Sequence, residues 1–161
     1  MADRRLFHTA AISAADINAV AAMEQRCFPT PWSPASCAAE LCVTGGGGYV
    51  AAGGPEGTIA GYLFYRIMTD EMHIMKVATD PPWRHRRIAS KLLRKALALA
   101  GRRRLRQVCL EVRASNIPAI QLYEKHGFEL SGIRPAYYDN REDAVLMTKN
   151  IEEELLTWQP H

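Results

Sequence analysis

Residues 72–89 read MHIMKVATDPPWRHRRIA, and this stretch decides the fold. Met72–Thr79 is rich in β-branched and other apolar residues, which indicates a strand, and the Asp-Pro-Pro that follows ends it because proline has no N–H to donate. The basic residues 84–87 come next, and over Ile88–Ala100 apolar side chains recur at the spacing of one helix face. The order predicts a strand, a turn, a basic loop and a helix. The first N–H groups of that helix are placed to bind an anion such as a phosphate.

The basic loop has two interpretations. Arg84, His85, Arg86 and Arg87 either add positive charge to an anion site at the helix start or form a solvated basic turn. The sequence contains neither GxxxxGK nor GxGxxG, which excludes a Walker loop and the dinucleotide-binding fingerprint. A phosphate bound here would need another type of loop.

Signals elsewhere predict a mixed α/β fold, in which helices and strands alternate in the middle of the chain. Ser13 and Ser33 are predicted to cap helices, Gly45–Gly48 to form a flexible turn, and Gly101 to end a helix. Helices are predicted over 13–26, 33–43, 88–100 and 116–127, with a final acidic helix over 152–156. Strands are predicted over 49–52, 58–67, 72–79, 106–112, 128–133 and 144–147.

Composition limits the class of protein. The 161 residues predict one domain, spanning 1–161, with residues 150–161 as its end or as a C-terminal extension. Hydrophobic residues make up 48% and charged residues 23%, which is typical of a globular protein with its own core. The net charge of +3 is too small for a dedicated nucleic-acid-binding protein. No apolar run approaches the ~18 residues of a membrane helix, so neither nucleic-acid binding nor a membrane span is predicted.

Cysteine and histidine spacing gives no metal motif. The four cysteines have no CxxC spacing and the chain has no signal-peptide core, which together predict reduced thiols in a cytoplasmic protein. The five histidines are scattered, with no HExxH and no Cys/His run. The sequence therefore predicts no metal ion.

Four polar residues stand out along the chain. Glu111 lies on the strand face opposite its apolar neighbours, where a carboxylate either faces solvent or pairs with Arg113. Tyr123 shares a helix face with apolar residues and by itself is predicted to belong to the core. Asn116 is placed to cap that helix. Lys76 lies in a predicted strand, and its pattern assigns it no role.

Several blocks of the sequence resemble the GCN5-related N-acetyltransferases, the GNAT family. RHRRIA at 84–89 is similar to the family's acetyl-CoA pyrophosphate loop, whose pattern is Gln/Arg-x-x-Gly-x-Gly/Ala. LEVRASN at 110–116 and AIQLYEKHGF at 119–128 resemble the family's second half. FPTPWS at 28–33 and the tyrosine pair 137–138 resemble one branch, the ribosomal-protein-alanine N-acetyltransferases of the RimI type.

The resemblance implies a GNAT-type α/β fold: a mixed, mostly antiparallel sheet flanked by helices, with two splayed parallel strands that form the acetyl-CoA cleft. It implies acetyl-CoA as co-substrate and no metal. Glu111 is expected to be the general base, directly or through a water, and Tyr123 the acid that protonates the CoA thiolate. The N–H of Val77 is expected to stabilise the developing oxyanion. The residues expected to contact acetyl-CoA are Val77, Ala78, Arg84, His85, Arg86, Arg87, Ile88, Ala89, Asn116 and Tyr123.

The resemblance also implies an acceptor groove, built from Phe28, Trp32, Tyr137 and Tyr138. The alternative for Phe28 and Trp32 is that they staple two helices onto the core. One position departs from the family pattern, because Arg87 stands where the loop has its first glycine. Its side chain would either crowd the pyrophosphate or contact a phosphate through the guanidinium.

Three functional hypotheses follow. The first is acetyl transfer to the N-terminal α-amine of a protein, a ribosomal protein that begins with alanine. The second keeps the chemistry with a lysine, polyamine or small-molecule amine as acceptor, and the third is a CoA-binding module weakened by Arg87. Ordinary amine pKa values favour the first. Freeing an α-amine of its proton at pH 7 takes about 1–1.4 kcal/mol, whereas a lysine amine takes about 4.6 kcal/mol.

Overall fold

The structure is a computed structural model that describes residues 7–54 and 56–151. It contains seven strands and four helices within these residues. The strands are β1 (Phe7–Ala11), β2 (Gly46–Gly53), β3 (Thr58–Met68), β4 (Glu71–Thr79), β5 (Gln107–Arg113), β6 (Glu129–Arg134) and β7 (Ala144–Asn150). The helices are α1 (Ile17–Cys27), α2 (Pro34–Cys42), α3 (Ile88–Arg102) and α4 (Ile117–Lys125). The predicted α/β class is confirmed, while the predicted helix over 152–156 lies outside the described residues.

The chain divides into two compact units. The first takes in the described residues up to Arg66 together with Lys76–Ala96, and the second takes in Ile67–Met75 and the described residues from Leu97 onward. In the first unit the strand order is β1-β2-β3-β4, and in the second it is β4-β5-β7-β6. Strands β3 and β4 and helix α3 therefore contribute residues to both units.

Polar side chains cap the chain near the starts of the first two helices of the first unit. The N–H of Ser13 donates to the Asp16 carboxylate at 2.9 Å, just ahead of α1. Ser33 accepts the Ser36 N–H at 3.1 Å, and Pro34 follows it at the first position of α2. Proline is favoured there because the first helical N–H has no partner within the helix. The predicted start of α2 is confirmed, whereas Ser13 caps the short 3₁₀ turn Ala14–Asp16 and α1 itself begins at Ile17.

Three local features differ from what the sequence predicts, two in the first half of the chain and one at the end of α3. Gly46–Gly48 belong to β2 rather than to a turn, and they pair with residues 64–66 of β3. A Cβ on Gly46 would lie 2.2 Å from the Glu40 carbonyl oxygen, so glycine here serves close approach. Strand β1 was not predicted; it pairs antiparallel with β2 and completes that edge. Helix α3 continues through Gly101 to Arg102.

The second unit contains the predicted parallel strand pair. Residues 71–74 of β4 pair in parallel with residues 107–110 of β5, and β5 pairs along its length with antiparallel β7. The parallel ladder runs through the pair Ile74 and Leu110, and both strands continue beyond it. Val108, Leu110 and Val112 are buried on one face of β5, as their alternation predicts. The mixed, mostly antiparallel sheet is thus confirmed.

Among residues 7–54 and 56–151, every helix is too short or too polar to cross a membrane.

Candidate active site

The basic loop of the first unit is exposed and has an unusual backbone. All four of its basic side chains, at residues 84–87, are exposed. His85 and Arg87 have φ angles of 64° and 60°, which is the left-handed region that favours glycine. The carbonyl of Arg87 accepts the Lys91 N–H at 3.1 Å, so Arg87 directly precedes the first turn of α3. An arginine thus adopts the conformation for which the family pattern has a glycine.

Side-chain contacts hold both ends of this loop. The Asp80 carboxylate, which is buried, accepts two hydrogen bonds from the Arg26 guanidinium at 2.8 and 2.9 Å. Arg84 donates through Nε to the Thr79 carbonyl at 3.3 Å, and the Arg86 guanidinium lies 5.0 Å from the centre of the Trp83 ring. Two of the loop's charges are therefore anchored to the chain that precedes it.

A glycine lets the end of β4 approach β3 and α3. Val77 is half-buried and Ala78 is buried. A Cβ on Gly61 would lie 2.8 Å from the Ala78 carbonyl oxygen and 2.8 Å from Cγ2 of Ile88. Only glycine leaves room for this packing, which fixes the end of β4 against the start of α3.

A buried carboxylate organises the rest of the first unit's candidate residues. Glu24 has no exposed surface, and its oxygens accept the Trp32 N–H at 2.8 Å, the Lys76 ammonium at 2.6 Å and the Tyr62 hydroxyl. Burial, together with the Glu24 carboxylate, raises the pKa of Tyr62. Glu24 lies on α1 at helical spacing with the buried apolar residues Ile17, Val20 and Ala21. A glutamate on such an apolar helix face is the sequence signal that could have found this cluster.

The rings of Phe28 and Trp32 both contact the ammonium of Lys76. The ammonium of Lys76 lies 4.2 Å from the centre of the Phe28 ring and 4.5 Å from that of Trp32, within cation–π range. Trp32 also packs against Phe64 of β3 at 5.6 Å between ring centres. Both rings thus help to hold a cation that the sequence left without a role.

The second unit holds the proposed base, Glu111, on β5. Its carboxylate oxygen lies 3.2 Å from Nε of Arg134, and its side chain is 31% exposed. The Tyr137 hydroxyl hydrogen-bonds to the same carboxylate, which raises the pKa of that tyrosine. The alternative that Glu111 pairs with Arg113 is wrong, because Arg134 on β6 takes that place.

Arg113 instead contacts the ring of Tyr138 and the loop before β7. Its guanidinium lies 4.0 Å from the centre of the Tyr138 ring, and it donates to Asn140 at 3.0 Å and to Glu142 at 3.4 Å. The rings of Tyr137 and Tyr138 meet edge to face at 5.2 Å. Two arginines therefore hold the tyrosine pair. Arg113 lies against the Tyr138 ring, and Arg134 pairs with the carboxylate that the Tyr137 hydroxyl contacts.

Tyr123 and Asn116 both lie on or next to α4. Tyr123 is 8% exposed and packs edge to face on Phe128 at 5.8 Å between ring centres. Burial, and to a lesser extent the neighbouring Tyr138, raises its pKa to about 12. Asn116 caps α4 by accepting the Ala119 N–H at 3.3 Å, as predicted. The phenol therefore keeps its proton at neutral pH.

The predicted site residues thus fall into two groups, one in each unit. The first unit contains Phe28, Trp32, Val77, Ala78 and the loop residues Arg84, His85, Arg86, Arg87, Ile88 and Ala89. The second unit contains Glu111, Asn116, Tyr123, Tyr137 and Tyr138.

Comparison with known proteins identifies the family. The model of the acetyltransferase (GNAT) family matches residues 17–128, which is more than half of the chain. The chain belongs to the GNAT family. It is an acetyltransferase, and the expectation drawn from its sequence motifs is confirmed.

Individual relatives agree with this GNAT assignment. The chain is 37% identical over 139 residues, 86% of its length and 91% of the relative's, to the "Putative [ribosomal protein bS18]-alanine N-acetyltransferase" of Bacillus subtilis. The crystal structure of the ribosomal-protein-S18-alanine N-acetyltransferase from Escherichia coli matches it with a TM-score of 0.83 and 29% identity, over 91% of this chain and 94% of that one. The fold is also similar to that of Arabidopsis thaliana NAA60 in complex with acetyl-CoA. The TM-score is 0.81 at 18% identity, over 91% of this chain and 99% of that one.

Proposed function

We propose that this GNAT protein transfers the acetyl group of acetyl-CoA to the N-terminal α-amine of a protein, a ribosomal protein that begins with alanine. The observation that carries the proposal is the likeness, at 37% identity over 86% of the chain, to a relative named for that substrate. We place the activity in the cytoplasm, where ribosomal proteins and reduced thiols are found.

Glu111 is the proposed base. Its carboxylate is partly exposed, so it can accept a proton from an attacking amine directly or through a water. Arg134 and Tyr137 both contact the carboxylate and restrict its orientation. As the neutral amine attacks the thioester carbon, its proton passes to Glu111, and the C–S bond then breaks to release the thiolate.

Tyr123 is the proposed acid. An ordinary thiol has a pKa of about 8.5, so a departing CoA thiolate takes a proton from a suitable donor at neutral pH. Tyr123 keeps its proton because burial raises its pKa to about 12. After the transfer, the phenolate regains a proton from solvent. The edge-to-face contact with Phe128 fixes the ring during these steps.

The first unit supplies the proposed binding groups for acetyl-CoA. Four exposed basic residues precede α3, and the first N–H groups of a helix have no partners within the helix. Backbone N–H groups of residues 86–89 are proposed to hold the pyrophosphate, and the N–H of Val77 to stabilise the oxyanion. Ala78 and, in the second unit, Asn116 are proposed to contact the pantetheine arm.

Acceptor recognition is proposed for the two aromatic pairs, Phe28 with Trp32 and Tyr137 with Tyr138. A tyrosine hydroxyl can hydrogen-bond to a peptide backbone while its ring packs on a side chain. Arg113 and Arg134 hold the two tyrosines in place, and a preorganised contact surface loses less entropy on binding. The contacts of Phe28 and Trp32 with Lys76 give the first pair the same rigidity.

The proposal is tested with two peptides of matched sequence. One carries the first residues of a ribosomal protein that begins with alanine and contains an internal lysine. The second is identical except that its α-amine is blocked. Each is incubated with the purified chain and acetyl-CoA, and mass spectrometry with fragmentation locates the added acetyl group. We expect acetylation at the α-amine of the first peptide and none on the second.

Acetylation of lysine in both peptides would instead support the second acceptor class, a lysine, polyamine or small-molecule amine. Binding of acetyl-CoA without turnover from about pH 7 to 9 would support a CoA-binding module. One observation favours the CoA-binding module: Arg87 adopts a left-handed conformation at the loop position where the family pattern has its first glycine. Restored turnover in Arg87→Gly would then identify this residue as the cause.

A further inference from the structure

Three donor groups of different chemistry meet on the second unit's parallel strand pair. Glu71, His73 and Cys109 place one ligand atom each within 4.8 Å of one another. Glu71 and His73 are two residues apart on β4 and so share a face, and His73 is the register partner of Cys109 on β5. The cluster takes no part in the proposed acetyl transfer.

The carboxylate of this cluster is oriented by neighbours on one side only. Oε1 of Glu71 accepts hydrogen bonds from Nη2 of Arg106 and from Nε2 of Gln107, the latter at 2.7 Å. Oε2 lies 3.5 Å from Nε2 of His73. Such outer hydrogen bonds orient the ligands of metal sites and tune their basicity. One oxygen is thus held by the surrounding side chains while the other faces the imidazole.

We propose that Glu71, His73 and Cys109 bind a divalent cation of intermediate softness, with Zn²⁺ as the best match. Zinc takes thiolate sulfur at about 2.3 Å and imidazole nitrogen or carboxylate oxygen at about 2.0–2.2 Å. A tetrahedron of those radii separates its ligands by roughly 3.4–3.8 Å, so the three groups need only small side-chain rotations to close on one ion. Magnesium and calcium are poor matches because they prefer oxygen ligands alone.

Access and charge fit the same ion. The side chain of His73 is 39% exposed and that of Glu71 26%, so an ion can enter from solvent and a water can fill the fourth position. The carboxylate and the thiolate together neutralise the two positive charges, and the thiol proton leaves to solvent on binding. Arg106 and Asp70 pair beside the cluster, at 3.1 Å, so the arginine's charge is shared with a second carboxylate.

Binding would link β4 to β5 next to Ile74 and Leu110, the last register pair of their parallel ladder. An ion that binds only the folded chain stabilises it by mass action. The consequence is a site that raises thermal stability without supplying a group to the acetyl transfer. The three ligands are scattered along the sequence and come together only through strand register, which explains why no sequence motif predicts this site.

The test uses Co²⁺ as an absorbing substitute for Zn²⁺ on the full chain. We expect one Co²⁺ per chain, a near-ultraviolet thiolate-to-cobalt absorption band, and loss of that band when Zn²⁺ is added. Cys109→Ser should abolish the band, and His73→Gln should weaken cobalt binding about tenfold or more. Cys42→Ser is the matched control, because Cys42 is an exposed cysteine of the first unit and should leave the band unchanged.

A second readout separates the site from a structural role of the same residues. Zn²⁺ should raise the melting temperature of the wild-type chain and of Cys42→Ser, but not that of His73→Gln or Cys109→Ser. Melting curves without metal establish that each variant is folded. An absorption band that survives in Cys109→Ser, or no band at millimolar Co²⁺, would overturn the proposal. So would a Zn²⁺-induced shift of equal size in wild type and His73→Gln.

Discussion

Glu24 of the first unit and Glu111 of the second are both ion-paired carboxylates, but they differ in burial. Glu24 has no exposed surface, and its partner Lys76 has a side chain that is only 15% exposed. Glu111 is 31% exposed and its partner Arg134 58%. Glu24 also accepts hydrogen bonds from a backbone N–H and a tyrosine hydroxyl, and Glu111 is likewise contacted by the Tyr137 hydroxyl as well as by Arg134.

The difference separates a carboxylate that holds the fold from one that can react. A buried charge pair is stable only while both partners remain, because an unpaired charge in the interior is strongly unfavourable. An exposed pair contributes little to stability, since water screens it, but the same water can carry protons to and from it. Substitution of the two glutamates should therefore affect different properties of the protein.

The largest effect is expected for Glu24→Gln. It leaves the Lys76 ammonium among Phe28 and Trp32 without a counter-charge, which should lower the free energy of unfolding by about 3–5 kcal/mol. Urea denaturation measures it, and Lys76→Met in the same chain should recover part of the loss. Glu111→Gln is the paired comparison and should change stability by about 1 kcal/mol or less. Equal losses in the two variants would remove the distinction drawn from burial.

Glu111→Gln should instead lower kcat/KM for an α-amine substrate about 10²–10⁴-fold, the usual contribution of a general base. The loss should be greater near pH 6.5 than near pH 8.5, because at higher pH more of the amine has already lost its proton. Steady-state rates across that range measure this. Glu129→Gln, which removes an exposed carboxylate of β6, is the control. A loss independent of pH would exclude Glu111 as the base.

Tyr123→Phe should reduce kcat about 10–100-fold and leave the affinity for acetyl-CoA unchanged, because only proton donation to the thiolate is lost. The pKa of Tyr123, raised to about 12 by burial, predicts that the wild-type rate does not fall between about pH 8 and 10 through ionisation of this group. Tyr49→Phe, at a buried tyrosine of the first unit, is the control. Unchanged turnover would assign Tyr123 to the core alone.

The smallest effect is expected for Arg87→Gly. A left-handed backbone costs a non-glycine residue about 1–2 kcal/mol, and substitution by glycine removes this strain. The greater entropy of glycine in the unfolded chain offsets part of the gain in stability. We expect a change in unfolding free energy of about 1 kcal/mol or less, and tighter binding of acetyl-CoA by calorimetry. Arg104→Gly relieves the same kind of strain, at a φ of 53°, outside the loop and should leave binding unchanged. Weaker binding in Arg87→Gly would show that the arginine contacts a phosphate.

Local sequence was sufficient for most elements of the fold. The caps at Ser33 and Asn116 act within three residues, so the starts of α2 and α4 were predictable from their neighbours alone. The alternation along β5 likewise placed Glu111 opposite the buried face. Gly46–Gly48 were wrongly predicted as a turn, because glycines that permit a close approach have the same local pattern as glycines in a loop.

Motifs in the sequence also determined the family, since the pyrophosphate loop and each of the later segments is a continuous stretch of the chain. Tertiary structure alone decided the partners: that Glu24 receives Lys76, that Arg134 rather than Arg113 pairs with Glu111, and that His73 lies beside Cys109. The two members of each pair are 23 to 52 residues apart in the sequence. Capping and amphipathic spacing act over one helical turn, whereas such pairs depend on strand register and on the packing of a helix against the sheet, which are selected only when the core is packed.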